Sequence, residues 1–151
     1  DGAVKAMSAL NRGAAEAMTA VGVSSATDVT GFGLMGHLRS MVRGSKVTAE
    51  IDLRNVPVLS GVWDLIDAGI APGGTHRNLQ SVSDTVVWSN ALSEREQLLL
   101  CDAQTSGGLL ISVPEDSKDD LMAELLNQGV LGAAVVGSIT EESDGIIKAI
   151  G

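Results

Sequence analysis

The sequence predicts an α+β domain, a mixed β-sheet flanked by helices. Three observations carry this. Helical and strand-like segments interleave along the chain. The spacing between strands is irregular, which argues against a regular doubly wound βαβ series. The 151 residues suit one domain with its own core, and no internal repeat or low-complexity linker divides them.

The elements follow in order. Residues 2–21 place Val4, Met7, Leu10, Ala14, Met18 and Val21 at steps of three and four, the stripe of an amphipathic helix, and Gly22 is a natural stop. Residues 23–30 become β-branched toward their end and read as an extended segment entering a glycine turn. A second helix spans 34–43, with Leu34, Leu38, Met41 and Val42 inward and Gly44 as its stop. Val47, Ala49, Ile51 and Leu53 alternate with polar neighbours, the pattern of a half-buried strand. Residues 62–68 form a short helix, and 69–78 read as a loop centred on Pro72-Gly73-Gly74. Ser93 and Glu96 form a capping box ahead of Leu98, Leu99 and Leu100. A polar, glycine-rich run, 101–108, precedes the apolar strand 109–113. Pro114 opens a helix with an acidic first turn, in which Leu121, Leu125 and Leu126 face inward and Gly129 ends the run. Strands over 133–139 and 146–150 close the chain, separated by an acidic turn at 141–145.

Composition narrows function. Hydrophobic residues make up 44% of the chain, which excludes disorder as its main state. Aromatics make up only 2%, too few for a base-stacking platform. The formal net charge of −9 argues further against nucleic-acid binding. No apolar run approaches the roughly 20 residues of a membrane span. The lone Cys101 cannot form an internal disulfide, which fits a reducing compartment, and it reads as a buried, inert thiol. The chain starts on Asp1 rather than Met, so we expect a piece of something longer.

Three stretches could carry chemistry. In the first, Gly31 to Gly36 matches G-x-G-x-x-G, and Glu50 and Asp52 lie at the distance expected of a ribose-binding acid. The segment before it is too polar for the central parallel strand of a dinucleotide fold. The same residues can instead form a turn in which Thr30 caps a helix, Gly31 and Gly33 let a ligand approach, and Asp28 offers an oxygen to Mg²⁺. A plain capping turn with a solvated aspartate remains a third reading. The second stretch is Thr75-His76-Arg77-Asn78, where Arg77 could clamp a phosphate or lie on an exposed loop. The third is Gln104-Thr105-Ser106-Gly107-Gly108, which could cradle phosphate oxygens or merely turn the chain. His37 has no second His or Cys beside it and reads as a core or surface histidine.

Taken together, Thr27-Asp28-Val29-Thr30-Gly31-Phe32-Gly33-Leu34-x-Gly36-His37, Pro72-Gly73-Gly74-Thr75-x-Arg77-Asn78 and Asp102-x-Gln104-Thr105-Ser106-Gly107-Gly108-Leu109-Leu110 resemble the C-terminal domain of the selenophosphate synthetase (selenide, water dikinase) family. The resemblance runs from the first helix to the last strand. Ala103 departs from the proline usual in the third motif.

The resemblance implies the C-terminal α+β fold of the aminoimidazole ribonucleotide synthetase superfamily. It implies a cytoplasmic, Mg²⁺-dependent reaction of ATP, selenide and water to selenophosphate, AMP and phosphate. It assigns Asp28 to the metal, and places most ATP contacts, the reactive Cys or selenocysteine with its lysine partner, and most of a homodimer interface in an N-terminal half. Residues 1–151 would then be one domain, inactive alone and partnered by that half. Thr30, Gly31, Gly33, Gln104, Thr105, Ser106, Gly107 and Gly108 would line an interdomain cleft for phosphate, with Thr75, Arg77 and Asn78 at or near its rim. Alternatives are another ATP-dependent enzyme of the superfamily, a dinucleotide-binding module and a non-catalytic interaction domain.

Overall fold

The computed structural model describes residues 2–151. Its helices are α1 (Gly2–Ser8), α2 (Arg12–Val21), α3 (Gly33–Ser45), α4 (Val62–Asp67), α5 (Gly73–Ser81), α6 (Glu94–Leu100) and α7 (Lys118–Asn127). Its strands are β1 (Ser25–Asp28), β2 (Val47–Asp52), β3 (Val86–Trp88), β4 (Leu109–Ser112), β5 (Gly137–Glu142) and β6 (Ile146–Ile150).

The α+β expectation holds, but the strands divide between two sheets. β1 and β4 form an antiparallel ribbon, while the other four run in the order β3-β6-β2-β5. That larger sheet is mixed: β6 lies parallel to both β2 and β3, and β5 lies antiparallel to β2.

Each sheet carries its own core. On the four-stranded sheet Ala49, Ile51, Val86, Ile147 and Ala149 meet Met35, Leu38 and Val42 of α3, with Val82, Leu92, Leu100 and Cys101 filling the edge. On the ribbon, Ala14 and Ala17 of α2 pack with Leu121 and Leu125 of α7, against Leu109 and Ile111. The alternation predicted for β2 is therefore sound. Thr48 is buried as well, because β2 lies between two neighbours.

Several boundaries differ from expectation. The first helix is two, broken at residues 9–11. Asn11 sends its side chain away to the Gly107 carbonyl (3.1 Å) instead of capping α2. Val4, Met7 and Leu10, half of the predicted buried stripe, are exposed. Gly44 does not stop α3; the helix runs on until Lys46 turns left-handed (φ 54°) and its N–H closes on the Val42 carbonyl. Residues 73–81, inside and beyond the predicted loop, form α5. Pro and Gly are poor helix formers, so propensity argued against it, but its Thr75 and Asn78 face is buried against other loops. Leu126 points outward. The predicted strand at 133–139 begins only at Gly137 and continues to Glu142, which leaves Ser143 to Gly145 as the turn. Gly22, the Ser93–Glu96 capping box, the 146–150 strand and the Gly129 stop stand as predicted.

Two arginines of α3 hold the end of α5 and the turn that follows it. Arg39 donates to the Ser81 carbonyl (2.5 Å), and Arg43 pairs with Asp84 (2.9 Å), holding that carboxyl below its usual range. The expected burial of Cys101 also holds. It is fully buried, and burial pushes its thiol up to about 12. Iodoacetamide should therefore leave Cys101 unmodified in the folded chain and label it on denaturation. An unfolded thiol ionises near about 8.5. The thiol's contribution to stability is thus full below that pH and falls away as pH rises toward 12. Rapid labelling under native conditions would contradict this burial.

Candidate functional site

The ribbon is what brings the motifs together. β1 ends at Asp28, β4 begins at Leu109, and these two residues pair. Antiparallel pairing places the turn after β1 and the loop before β4 at the same end. Their ladder continues beyond the strands. Val29 N–H donates to the Gly108 carbonyl (2.9 Å), Gly107 N–H to the Val29 carbonyl (3.1 Å) and Gln104 N–H to the Thr30 carbonyl (3.1 Å).

The second motif docks on the other two through α5. Asn78 Nδ2 donates to the carbonyls of Gly31 (2.9 Å) and Cys101 (3.1 Å). The Thr75 hydroxyl donates to Asp102 Oδ1 (2.8 Å) and accepts from Ala103 N–H (3.2 Å). Gln104 folds back so that its amide donates to the other Asp102 oxygen (3.1 Å). Three stretches scattered over about half the chain thus form one cluster. Thr75 and Asn78 are buried within it, their hydrogen-bonding groups spent on loop against loop.

Groups free to meet a ligand lie elsewhere on the cluster. Gly31, Phe32, Thr105, Ser106 and Gly108 are exposed, and their backbone N–H groups have no carbonyl partner among the described residues. Free N–H groups near a helix start are of the kind that anions bind. Asp28 is also exposed, and its carboxylate forms no ion pair among the described residues. Arg77, on the exposed side of α5, likewise has no ion pair among them.

A metal fits only in part. Asp28 offers the hard oxygen that Mg²⁺ prefers, yet the described residues contain no group of three His, Cys, Asp or Glu that could hold an ion. The described residues by themselves therefore do not make up a coordination shell.

The G-x-G-x-x-G pattern has a structural explanation that involves no dinucleotide. β1 pairs with β4 alone, in an antiparallel ribbon rather than a parallel sheet. Gly33 sits at φ 68°, and a Cβ there would lie 2.6 Å from the Cys101 carbonyl oxygen. A Cβ on Gly36 would lie 2.7 Å from that of Phe32. Both glycines serve close approaches inside the protein.

Thr30 does not cap α3 as expected. Phe32 occupies the position before the helix, and no side chain caps it. Thr30 N–H instead donates to His37 Nε2 (2.9 Å), so His37 joins the cluster. Sequence reasoning passed over Asn11 as well, which holds the Gly107 carbonyl from 96 residues away. Nothing local marks such a partner, whereas His37 stood inside the motif.

Known proteins resemble this chain along nearly its whole length. The model of the AIR synthase related protein C-terminal domain family matches residues 3–150. A selenide, water dikinase of Carboxydothermus hydrogenoformans is 42% identical over 144 residues, which cover 95% of this chain and 41% of that protein. One from Shewanella sp. (strain MR-7) is 43% identical over 91% of this chain and 38% of its own. One from Clostridioides difficile (strain 630) is 35% identical over 99% of this chain and 43% of its own. The chain thus spans about two fifths of the length of these relatives.

Proposed function

This chain belongs to the AIR synthase related protein C-terminal domain family, and from that premise we propose that it is the C-terminal domain of a selenide, water dikinase. The longer protein would use ATP, selenide and water to make selenophosphate, AMP and phosphate in the cytoplasm. The reading is carried by one observation: two glycine turns whose exposed N–H groups have no carbonyl partner among the described residues stand beside Asp28, a carboxylate with no ion pair among them. The share of the relatives that this chain leaves unmatched supports a second, N-terminal half as its partner. We place most ATP contacts, the reactive Cys or selenocysteine and most of a homodimer interface in that half.

Each residue then has a role. Asp28 holds Mg²⁺ together with ligands from the other half. When bound, Mg²⁺ supplies positive charge that offsets the phosphates as a phosphoryl group is transferred. Gly31, Thr105, Ser106, Gly107 and Gly108 turn backbone and hydroxyl groups toward phosphate oxygens. Gly33 lets the first turn close on the second loop. Arg77 reaches from the rim. Thr30, Thr75, Asn78 and Gln104 keep the turns in register.

The test uses the longer protein that contains this chain. Phosphorus NMR of a reaction with ATP and selenide should show selenophosphate, AMP and phosphate in equal amounts, and this chain alone should turn over no ATP. ADP formed without need of selenide would point instead to another ATP-dependent enzyme of the family.

A further inference from the structure

The geometry points to His37 as the residue that positions the Asp28–Gly33 turn, by accepting the backbone hydrogen of Thr30. The inference rests on the proposed function only where turnover is concerned; the contact itself can be tested in this chain alone.

His37 lies in the second turn of α3 and reaches back seven residues. Its Nε2 is 2.9 Å from Thr30 N and 3.2 Å from Thr30 Oγ1. A backbone N–H can only donate, so Nε2 presents a lone pair and the ring carries its proton on Nδ1. The Thr30 carbonyl meanwhile accepts from Gly33 N–H (3.0 Å) and Gln104 N–H (3.1 Å). Every backbone polar group of Thr30 is thereby used.

The neighbouring residue is far less constrained. A Cβ at Gly31 would meet nothing within 4 Å, and among the described residues only the Gly31 carbonyl is held, by Asn78. Among the described residues, His37 and Asn78 are thus the two side chains whose hydrogen bonds fix the outer backbone of the turn. Phe32 leans over the imidazole, with ring centroids 5.7 Å apart and planes at 52°, and Gly36 leaves room for it to do so. Asp28 lies two residues before Thr30. Releasing Thr30 loosens the segment that aims the carboxylate, and a misplacement on the order of 1 Å at a reacting centre costs about 100-fold.

Three measurements decide the matter. Long-range proton–nitrogen NMR on this chain should show His37 with its proton on Nδ1; a proton on Nε2 overturns the proposal. Amide exchange at Thr30 should quicken by about tenfold in His37→Phe, which keeps the volume and loses the acceptor. His37→Gln, whose carbonyl oxygen can reach where Nε2 sits, should restore protection. Unchanged exchange in His37→Phe overturns the proposal. Should that variant not fold, His37→Asn, too short to reach Thr30, makes the same measurement.

In the longer protein, His37→Phe should lower kcat by about tenfold or more while His37→Gln recovers most of it. Faster exchange with unaltered kcat would refute the positioning role and leave the proposed function standing. A longer protein that makes no selenophosphate would refute the proposed function, while amide exchange still judges the His37 contact.

Discussion

Asp28→Asn in the longer protein should reduce Mg²⁺-dependent ATP turnover by at least about 100-fold. The substitution keeps the shape of the side chain and removes its charge. Asp28 is exposed and its carboxylate has no ion pair among the described residues. The change should therefore alter folding stability by no more than about 0.5 kcal/mol. The thermal midpoint and far-UV spectrum of this chain provide the control. Raising Mg²⁺ should recover part of the loss, because the remaining ligands still offer a weakened site. Near-normal turnover at ordinary Mg²⁺ would remove Asp28 from the metal site and leave the glycine turns and Arg77 as the ligand-facing part of the cluster.

Gly33→Ala should be the most damaging small substitution in the first turn. At φ 68° a side chain costs about 1–2 kcal/mol. The new Cβ would also press on backbone, 2.6 Å from the Cys101 oxygen and 2.8 Å from the Asp102 oxygen. Neither can swing aside as a side chain could, so overpacking adds about 1–3 kcal/mol. Together these lower stability by about 3 kcal/mol, a midpoint shift of roughly 6–12 °C for a domain of this size. Gly31→Ala is the internal comparison. It has open space and no positive φ, and should change stability by less than about 1 kcal/mol. Similar losses for the two variants in urea denaturation would contradict the close approach of the two loops.

The contrast shows what the glycine pattern could and could not reveal. Read alone, Gly31, Gly33 and Gly36 are equivalent letters in a fingerprint. In the fold they differ: Gly33 meets the Cys101 carbonyl, Gly36 meets Phe32, and Gly31 faces open space. The polar segment before them was a sound reason to doubt a dinucleotide site, since β1 proves to be half of a two-stranded ribbon. The loop expected at residues 69–78 failed for the opposite reason. Local propensity weighed Pro72, Gly73 and Gly74 correctly, but hydrogen bonds from Thr75 and Asn78 to Asp102, Gly31 and Cys101 outweigh it.

Periodicity, capping and motif strings in the sequence alone determined the α+β class, the alternation of β2, the last strand, the buried Cys101 and the family. Those signals are local, or are matched string by string. Only the tertiary structure decided that Thr75 and Asn78 tie loops together, that Asn11 and His37 belong to the cluster, and which glycines touch backbone. These depend on contacts between residues as far apart as Asn11 and Gly107, and antiparallel pairing of β1 with β4 is what brings the two loops to one end.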